Sequence, residues 1–148
     1  MAMRIEAVAN ATAEVQAALA RLLPQLNATL RPPDAERLER IVADPDVVLL
    51  VARDGPEDAI VGTTTVIVYT TPFWIKARLD EVVVDGSARG RGVGEALVRA
   101  ALEVARKRGA QIAELQSARS EARAAAHRLY ERLGFQIRNS DLFRISLK

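Results

Sequence analysis

The sequence contains no cysteine. That absence removes disulfides, thiolate metal sites and a cysteine nucleophile together, and it accords with a reducing, cytoplasmic compartment. Aromatic residues are scarce at 4%, too few for the stacking platforms that read single-stranded nucleic acid. The start, Met1-Ala2-Met3-Arg4-Ile5-Glu6, has no basic segment leading into an apolar run, so no signal peptide is expected. No apolar stretch approaches the roughly 18 residues that a membrane span needs, and no membrane partner is expected. No internal repeat, low-complexity tract or separating linker interrupts the chain, so residues 1–148 are expected to form a single domain.

What remains is a globular balance: 49% apolar and 27% charged residues in 148, enough to bury one substantial core. The net charge of +2 hides an asymmetry. Residues 1–74 carry 6 Lys/Arg against 10 Asp/Glu, and residues 75–148 carry 15 against 9. A basic half attracts a polyanion or a phosphorylated small ligand, and it is equally the signature of a plain solvated face.

Hydrophobic periodicity orders the elements. Val15, Leu19, Leu22, Leu23, Leu26 and Leu30 share one helical face, which Pro24 should kink or end. Asp34 can cap a short helix carrying Leu38, Ile41 and Val42 inward. Residues 47–52 and 60–70 read as paired strands around the turn Asp54-Gly55-Pro56, and residues 78–84 as a further strand. Residues 93–108 form the clearest helix, stopped by Gly109. A strand (112–116), a helix (120–133) and a closing hairpin (135–138 and 142–147) complete the order. The result is an α/β (α+β) class with a mixed central sheet of about six to seven strands and helices on its faces.

One segment carries chemistry: Glu81-Val82-Val83-Val84-Asp85-Gly86-Ser87-Ala88-Arg89-Gly90-Arg91-Gly92-Val93-Gly94. A buried strand runs into a glycine-rich turn that opens a long helix. Glycines let the backbone approach a ligand, and a helix N-terminus adds positive potential, so pyrophosphate is the natural guest. Arg89 and Arg91 can add charge from the sides. An ordinary strand-to-helix turn needs fewer glycines and no arginines. The Walker A pattern fails because Gly94 is followed by Glu95-Ala96, and the dinucleotide fingerprint fails because its third glycine is missing.

The spacing Arg89-x-x-Gly92-x-Gly94 resembles the acyl-coenzyme-A loop of the GNAT superfamily of N-acetyltransferases. Ala126-His127-Arg128-Leu129-Tyr130-Glu131-Arg132-Leu133-Gly134-Phe135 is similar to that family's closing motif, and the element order matches over nearly the whole chain. The resemblance implies a GNAT fold and acetyl-coenzyme A as co-substrate, with no metal. Acetyl would pass by direct attack to a primary amine on a small molecule or a peptide. It implies that the backbone of Val82, Val83 and Val84 holds the pantetheine arm, and that amides from Arg89, Gly90, Arg91, Gly92, Val93, Gly94 and Glu95 hold the pyrophosphate. Tyr130 stands at the general-acid position. Asp80 stands where many members carry the base. Glu81 is adjacent but, by strand alternation, should face the other way unless a bulge intervenes. Arg123 replaces the Asn that many members place on pantetheine, and it can reach a phosphate instead. Phe73 and Trp74 precede the Asp80 strand, where members shape the acceptor pocket; core packing explains them equally well. A homodimer is compatible with this reading.

Two alternatives stay open: a catalytically silent coenzyme-A-binding regulatory module, and a basic nucleic-acid-binding domain, which lacks any recognition-helix pattern. The acceptor amine carries no motif; the acidic first half favours a cationic one.

Overall fold

The computed structural model describes residues 3–148. Met1 and Ala2, which begin the stretch where a leader would lie, are outside the described residues. The elements are β1 (Arg4–Ala7), α1 (Ala13–Leu22), a 3-10 turn (Leu23–Gln25), α2 (Ala35–Ala43), β2 (Val47–Asp54), β3 (Ala59–Thr70), β4 (Ile75–Val84), α3 (Val93–Lys107), β5 (Ile112–Leu115) and α4 (Ala124–Arg132). The sheet runs β1-β2-β3-β4-β5. Its first three pairings are antiparallel and the last, β4 with β5, is parallel. Among the described residues no helix is long and apolar enough to cross a membrane.

Local chemistry sets the helix ends. Thr12 caps α1 by accepting from the Val15 N–H at 3.2 Å, and Pro24 ends regular helix at the 3-10 turn. Asp34 caps α2 through the Arg37 N–H at 2.8 Å. Val15, Leu19 and Leu22 of α1 and Leu38 of α2 pack with Leu49, Val51, Ile60 and Val83 of the sheet, forming one core. On the other face α3 buries Val93, Leu97, Val98, Ala101 and Ala105, packing on β3 and β4. Two threonines inside the sheet are satisfied locally: Thr63 donates to the Leu50 carbonyl at 2.8 Å and Thr64 to that of Asp80 at 3.0 Å. At the first edge, Arg53 bridges Glu6 and Glu14, tying β1 and α1 to β2 and holding both carboxyls below their ordinary range.

Chain contacts divide into two compact units, Met1–Gln116 and Ser117–Lys148. The expected closing hairpin is not formed. Among the described residues the sheet has five strands, and residues 135–148 take no regular structure, with Ile137, Leu142, Phe143, Ile145 and Leu147 exposed. Alternating apolar residues supply β propensity, but an isolated two-stranded hairpin has too little face to bury to hold itself together.

No turn signal marks Gly62 in the sequence, yet this residue sets the seating of α3. A Cβ there would stand 2.9 Å from Leu97 Cδ1, 3.1 Å from the Val83 carbonyl oxygen and 3.1 Å from Val93 Cγ1. Glycine is required because helix and sheet approach this closely. Gly62→Ala should therefore lower stability by about 1–3 kcal/mol through overpacking, read as a fall in the urea midpoint at unchanged slope. An unchanged midpoint would mean that α3 shifts freely on the sheet.

Candidate active site

The β4–β5 pairing is short. It runs from Lys76/Ile112 to Leu79/Leu115 and then stops, because β5 ends while β4 continues to Val84. Residues 80–84 thus have β3 on one side and no strand on the other. Asp85 N–H bonds to the Val61 carbonyl at 2.8 Å, and antiparallel ladders alternate bonded and non-bonded pairs. With Thr63 opposite Val83 and Gly62 opposite Val84, the backbone groups of Val83 turn toward β3. Those of Val82 and Val84 turn to the open edge. Arg89 Nε lies 3.4 Å from the Val84 carbonyl oxygen, in line with that assignment. All three valines are expected from the sequence to hold the pantetheine arm; in the ladder the groups of Val83 face β3 and those of Val82 and Val84 face the open edge.

The open edge leads into the glycine turn. Asp85 Oδ1 accepts from the Ser87 N–H and hydroxyl, each at 3.1 Å, and Gly86 N–H donates to Gln25 Oε1 at 3.0 Å. The Ser87 backbone bond, then its hydroxyl and Arg21, hold the Asp85 carboxyl below its usual range despite desolvation. Gly90 (φ 80°) and Gly92 (φ 81°) sit in the left-handed region, and an added Cβ at either would meet nothing within 4 Å. The glycines are therefore required by backbone conformation and not by neighbouring atoms, and the space in front of them is open. Gly92 is the N-cap of α3, and the first bond of that helix is Ala96 N–H to the Gly92 carbonyl at 3.0 Å. The N–H groups of Val93, Gly94 and Glu95 precede the helical ladder and point off its start. Val93 anchors that start with a fully buried side chain. Arg89 and Arg91 are exposed beside the loop; Arg91 lies 3.5 Å from Asp54, and Glu95 pairs with Arg99 at 3.0 Å.

The two acidic candidates separate by a β-bulge. Thr63 faces Val83 and Thr65 faces Asp80, so β4 holds one residue more than β3 across this interval. Glu81 takes up the excess at φ 56°, a conformation that costs a non-glycine residue about 1–3 kcal/mol. Its side chain lines a cleft of about 340 Å³ together with Thr63, Thr65, Leu49, Leu19 and Leu23, and with Arg31, Pro33, Arg37 and Ile41 from the helical side. Desolvation, and then the charge of Asp80, raises the Glu81 carboxyl above the ordinary glutamate value, although the residue keeps access to solvent at the cleft wall. Asp80 instead pairs with Arg78 at 2.9 Å and does not line the cleft. Strict alternation places Asp80 and Glu81 on opposite faces of the sheet, with Asp80 the expected base; with the bulge it is Glu81, and not Asp80, that lines the cleft. Phe73 and Trp74 are exposed on the β3–β4 turn, so they neither pack in the core nor line this cleft.

In the unit Ser117–Lys148, α4 ends at Gly134 (φ 99°), with Phe135 N–H bonding to the Tyr130 carbonyl at 3.0 Å. The Tyr130 and Phe135 rings meet edge to face, centroids 6.0 Å apart. Burial raises the Tyr130 hydroxyl above its ordinary pKa and Arg123 offsets this in part, which keeps the phenol protonated at neutral pH. His127 Nε2 lies 3.0 Å from the Ala118 carbonyl oxygen, a local structural bond.

Residues 15–135 match the family model described as the acetyltransferase (GNAT) family. A 60-residue stretch is 43% identical to an uncharacterized N-acetyltransferase of Methanocaldococcus jannaschii, spanning 40% of this chain and about a quarter (26%) of that protein. A transcriptional regulator from Bacillus halodurans C-125 superposes with a TM-score of 0.82 at 25% identity, over 98% of this chain and 100% of that one. An aminoglycoside acetyltransferase from an uncultured soil metagenomic sample shares the fold at a TM-score of 0.84 and 20% identity, over 100% of both chains.

Gly92→Asp should leave a folded chain but weaken coenzyme A binding at least about tenfold, since it strains the left-handed turn and sets negative charge against pyrophosphate. Calorimetry showing undiminished affinity in a folded variant would place the phosphate site elsewhere.

Proposed function

The chain belongs to the GNAT acetyltransferase family, and on that premise we propose that it transfers an acetyl group from acetyl-coenzyme A to a primary amine. One observation carries the reading: an open strand edge at Val82 and Val84 runs directly into a left-handed glycine turn at the start of α3. Amide groups of pantetheine suit the edge, as an added strand would. Pyrophosphate suits the N–H groups of residues 89–95, with Arg89 and Arg91 flanking it. Because the family match spans residues 15–135, we infer that both compact units act as one domain. The lack of cysteine accords with a cytoplasmic setting.

The chemistry then needs a neutral amine, a stabilised oxyanion and a proton for the departing thiolate. We assign Glu81 to the first of these. Its carboxylate accepts a proton from the ammonium form of the acceptor, directly or through water. The freed nitrogen attacks the thioester carbonyl, the carbon–nitrogen bond forms, and the carbon–sulfur bond breaks as the tetrahedral centre collapses. We assign Tyr130 to the last. Its hydroxyl passes a proton to sulfur; ordinary phenol and thiol pKa values, about 10 and about 8.5, lie close together, and Arg123 offsets part of the rise that burial imposes on Tyr130. Arg123 steadies the phenolate formed, and the second proton, shed by the nitrogen as the tetrahedral centre collapses to the amide, returns to that phenolate directly or through water. A second reading, a coenzyme-A-binding regulatory module, draws support from the likeness to the Bacillus halodurans regulator; the intact Tyr130 favours turnover.

Two variants test the assignments. Glu81→Gln should lower kcat/KM and remove an acidic limb that lies above the ordinary glutamate value of about 4.5, with partial rescue as rising pH frees the amine. A carboxyl whose folded pKa is raised destabilises the ionised native state. Glu81→Gln should therefore raise Tm above that limb, and the gain should vanish below the unfolded pKa. An unchanged limb in Glu81→Gln, with its loss in Asp80→Asn, would return the role to Asp80.

Tyr130→Phe keeps the ring and removes one hydroxyl. It should lower kcat by about 10²–10⁴-fold with little change in KM for acetyl-coenzyme A, and by less with a donor whose leaving thiol is more acidic. Wild-type kcat in a reaction limited by chemistry would leave Tyr130 as a packing residue and strengthen the regulatory reading.

A further inference from the structure

The cleft beside Glu81 has a charge character opposite to that of the half of the chain that builds it. Residues 1–74 are acidic, with 10 Asp/Glu against 6 Lys/Arg, which by itself favours a cationic acceptor. Yet the charged side chains lining the cleft are Arg31, Arg37 and Glu81. Charges farther off are screened over a Debye length of about 8 Å, so those on the wall decide what enters.

The two arginines are also uncommitted. Arg4, Arg21 and Arg53 of the same half each pair with a carboxylate. Among the described residues neither Arg31 nor Arg37 has a side-chain hydrogen bond or ion pair, in a segment where Asp34, Glu36 and Glu39 are near in sequence. Arg40 is likewise unpaired, but it does not line the cleft. Guanidinium groups left free on a concave wall form forks suited to a planar carboxylate or a phosphate. Arg37 projects from α2 and Arg31 from the segment before it, whereas Glu81 stands on β4. The cleft therefore offers positive charge on its helical wall and negative charge on its sheet wall. Its volume, about 340 Å³, is at the small end of the usual range for ligand sites.

We propose that the acceptor is a small amine bearing an anionic group, a carboxylate or a phosphate, which Arg31 and Arg37 hold while its amine is presented to Glu81. The proposal rests on the acetyltransferase reading above and narrows it to a substrate class. A polyamine would meet two positive charges for one negative and be disfavoured. Apolar lining from Leu19, Leu23 and Ile41 leaves room for an aliphatic body between the charged ends.

The test uses matched pairs of acceptors with the full chain: leucine against leucinamide, and O-phosphoethanolamine against ethanolamine. Binding to the coenzyme-A-loaded protein is read by calorimetry, and turnover with acetyl-coenzyme A by released thiol. The anionic member of at least one pair should bind and react at least about tenfold better, and which pair does so distinguishes carboxylate from phosphate. Arg31→Gln and Arg37→Gln should each cost that member about tenfold to a hundredfold in kcat/KM and leave the partner that lacks the anionic group and the affinity for acetyl-coenzyme A unchanged. Arg40→Gln should change neither. The proposal is overturned if the members lacking the anionic group bind or react as well, if the preference survives in the double variant, or if neither anionic member binds at millimolar concentration. Failure of acetyl-coenzyme A itself to bind is a separate result, and it would remove the parent reading along with this one.

Discussion

Backbone hydrogen bonds must go somewhere, and β4 has too few strand partners for its length. It runs to Val84, while its parallel neighbour β5 ends at Leu115, opposite Leu79. Buried donors and acceptors without partners cost free energy comparable to lost hydrogen bonds, so an uncovered edge persists only where solvent or a ligand can reach it. The outward groups of Val82 and Val84 are such an edge. Everything downstream follows its line: the Asp85 cap, the two left-handed glycines and the first turn of α3. Gly62 lets α3 sit close enough to the sheet for its N-terminus to stand at the end of that edge. The strand offers a template for an extended chain, and the helix start offers a seat for an anion, in one continuous surface.

The bulge in the same strand builds the second half of the site. A regular ladder would have kept Glu81 on the alternating pattern; the extra residue and its positive φ instead turn it into the cleft beside Thr63 and Thr65. Strain of this kind persists only when the surroundings over-determine it. Here β4 is locked on one side by β3, with Thr64 bonding to the Asp80 carbonyl at 3.0 Å just before the kink. Desolvation and the neighbouring Asp80 then raise the Glu81 carboxyl, bringing it nearer the range in which a carboxylate works as a base. Asp80 is spent on Arg78. Two adjacent carboxylates thus receive different environments, one paired and one aimed at the cleft.

Much of this was legible in order and little of it in direction. The spacing from Arg89 to Gly94 and the run from Ala126 to Phe135 pointed to the family, because glycine in a phosphate turn and tyrosine before a helix-ending glycine are chemical requirements that leave a local trace. Pro24, Asp34 and Gly109 marked helix ends for the same reason. Net charge does not foretell the lining: an acidic half encloses a cleft whose lining holds two arginines and one glutamate, since charge summed along a chain says nothing about which side chains a wall collects.

By itself the sequence determined several helix ends, at Pro24, Asp34 and Gly109, the glycine turn, the tyrosine motif and the alternation of helices and strands, all of which depend on interactions within a few residues. Tertiary structure alone decided the rest. Whether β5 stops short, whether Gly62 must be glycine, and whether residues 135–138 and 142–147 find a sheet to join are questions of partners distant in the chain. Which of Asp80 and Glu81 lines the cleft is of the same kind. A period-two pattern fixes faces only while the register is regular, and one extra residue between Thr63 and Thr65 changed the answer, because register belongs to a pair of strands and not to either strand's sequence.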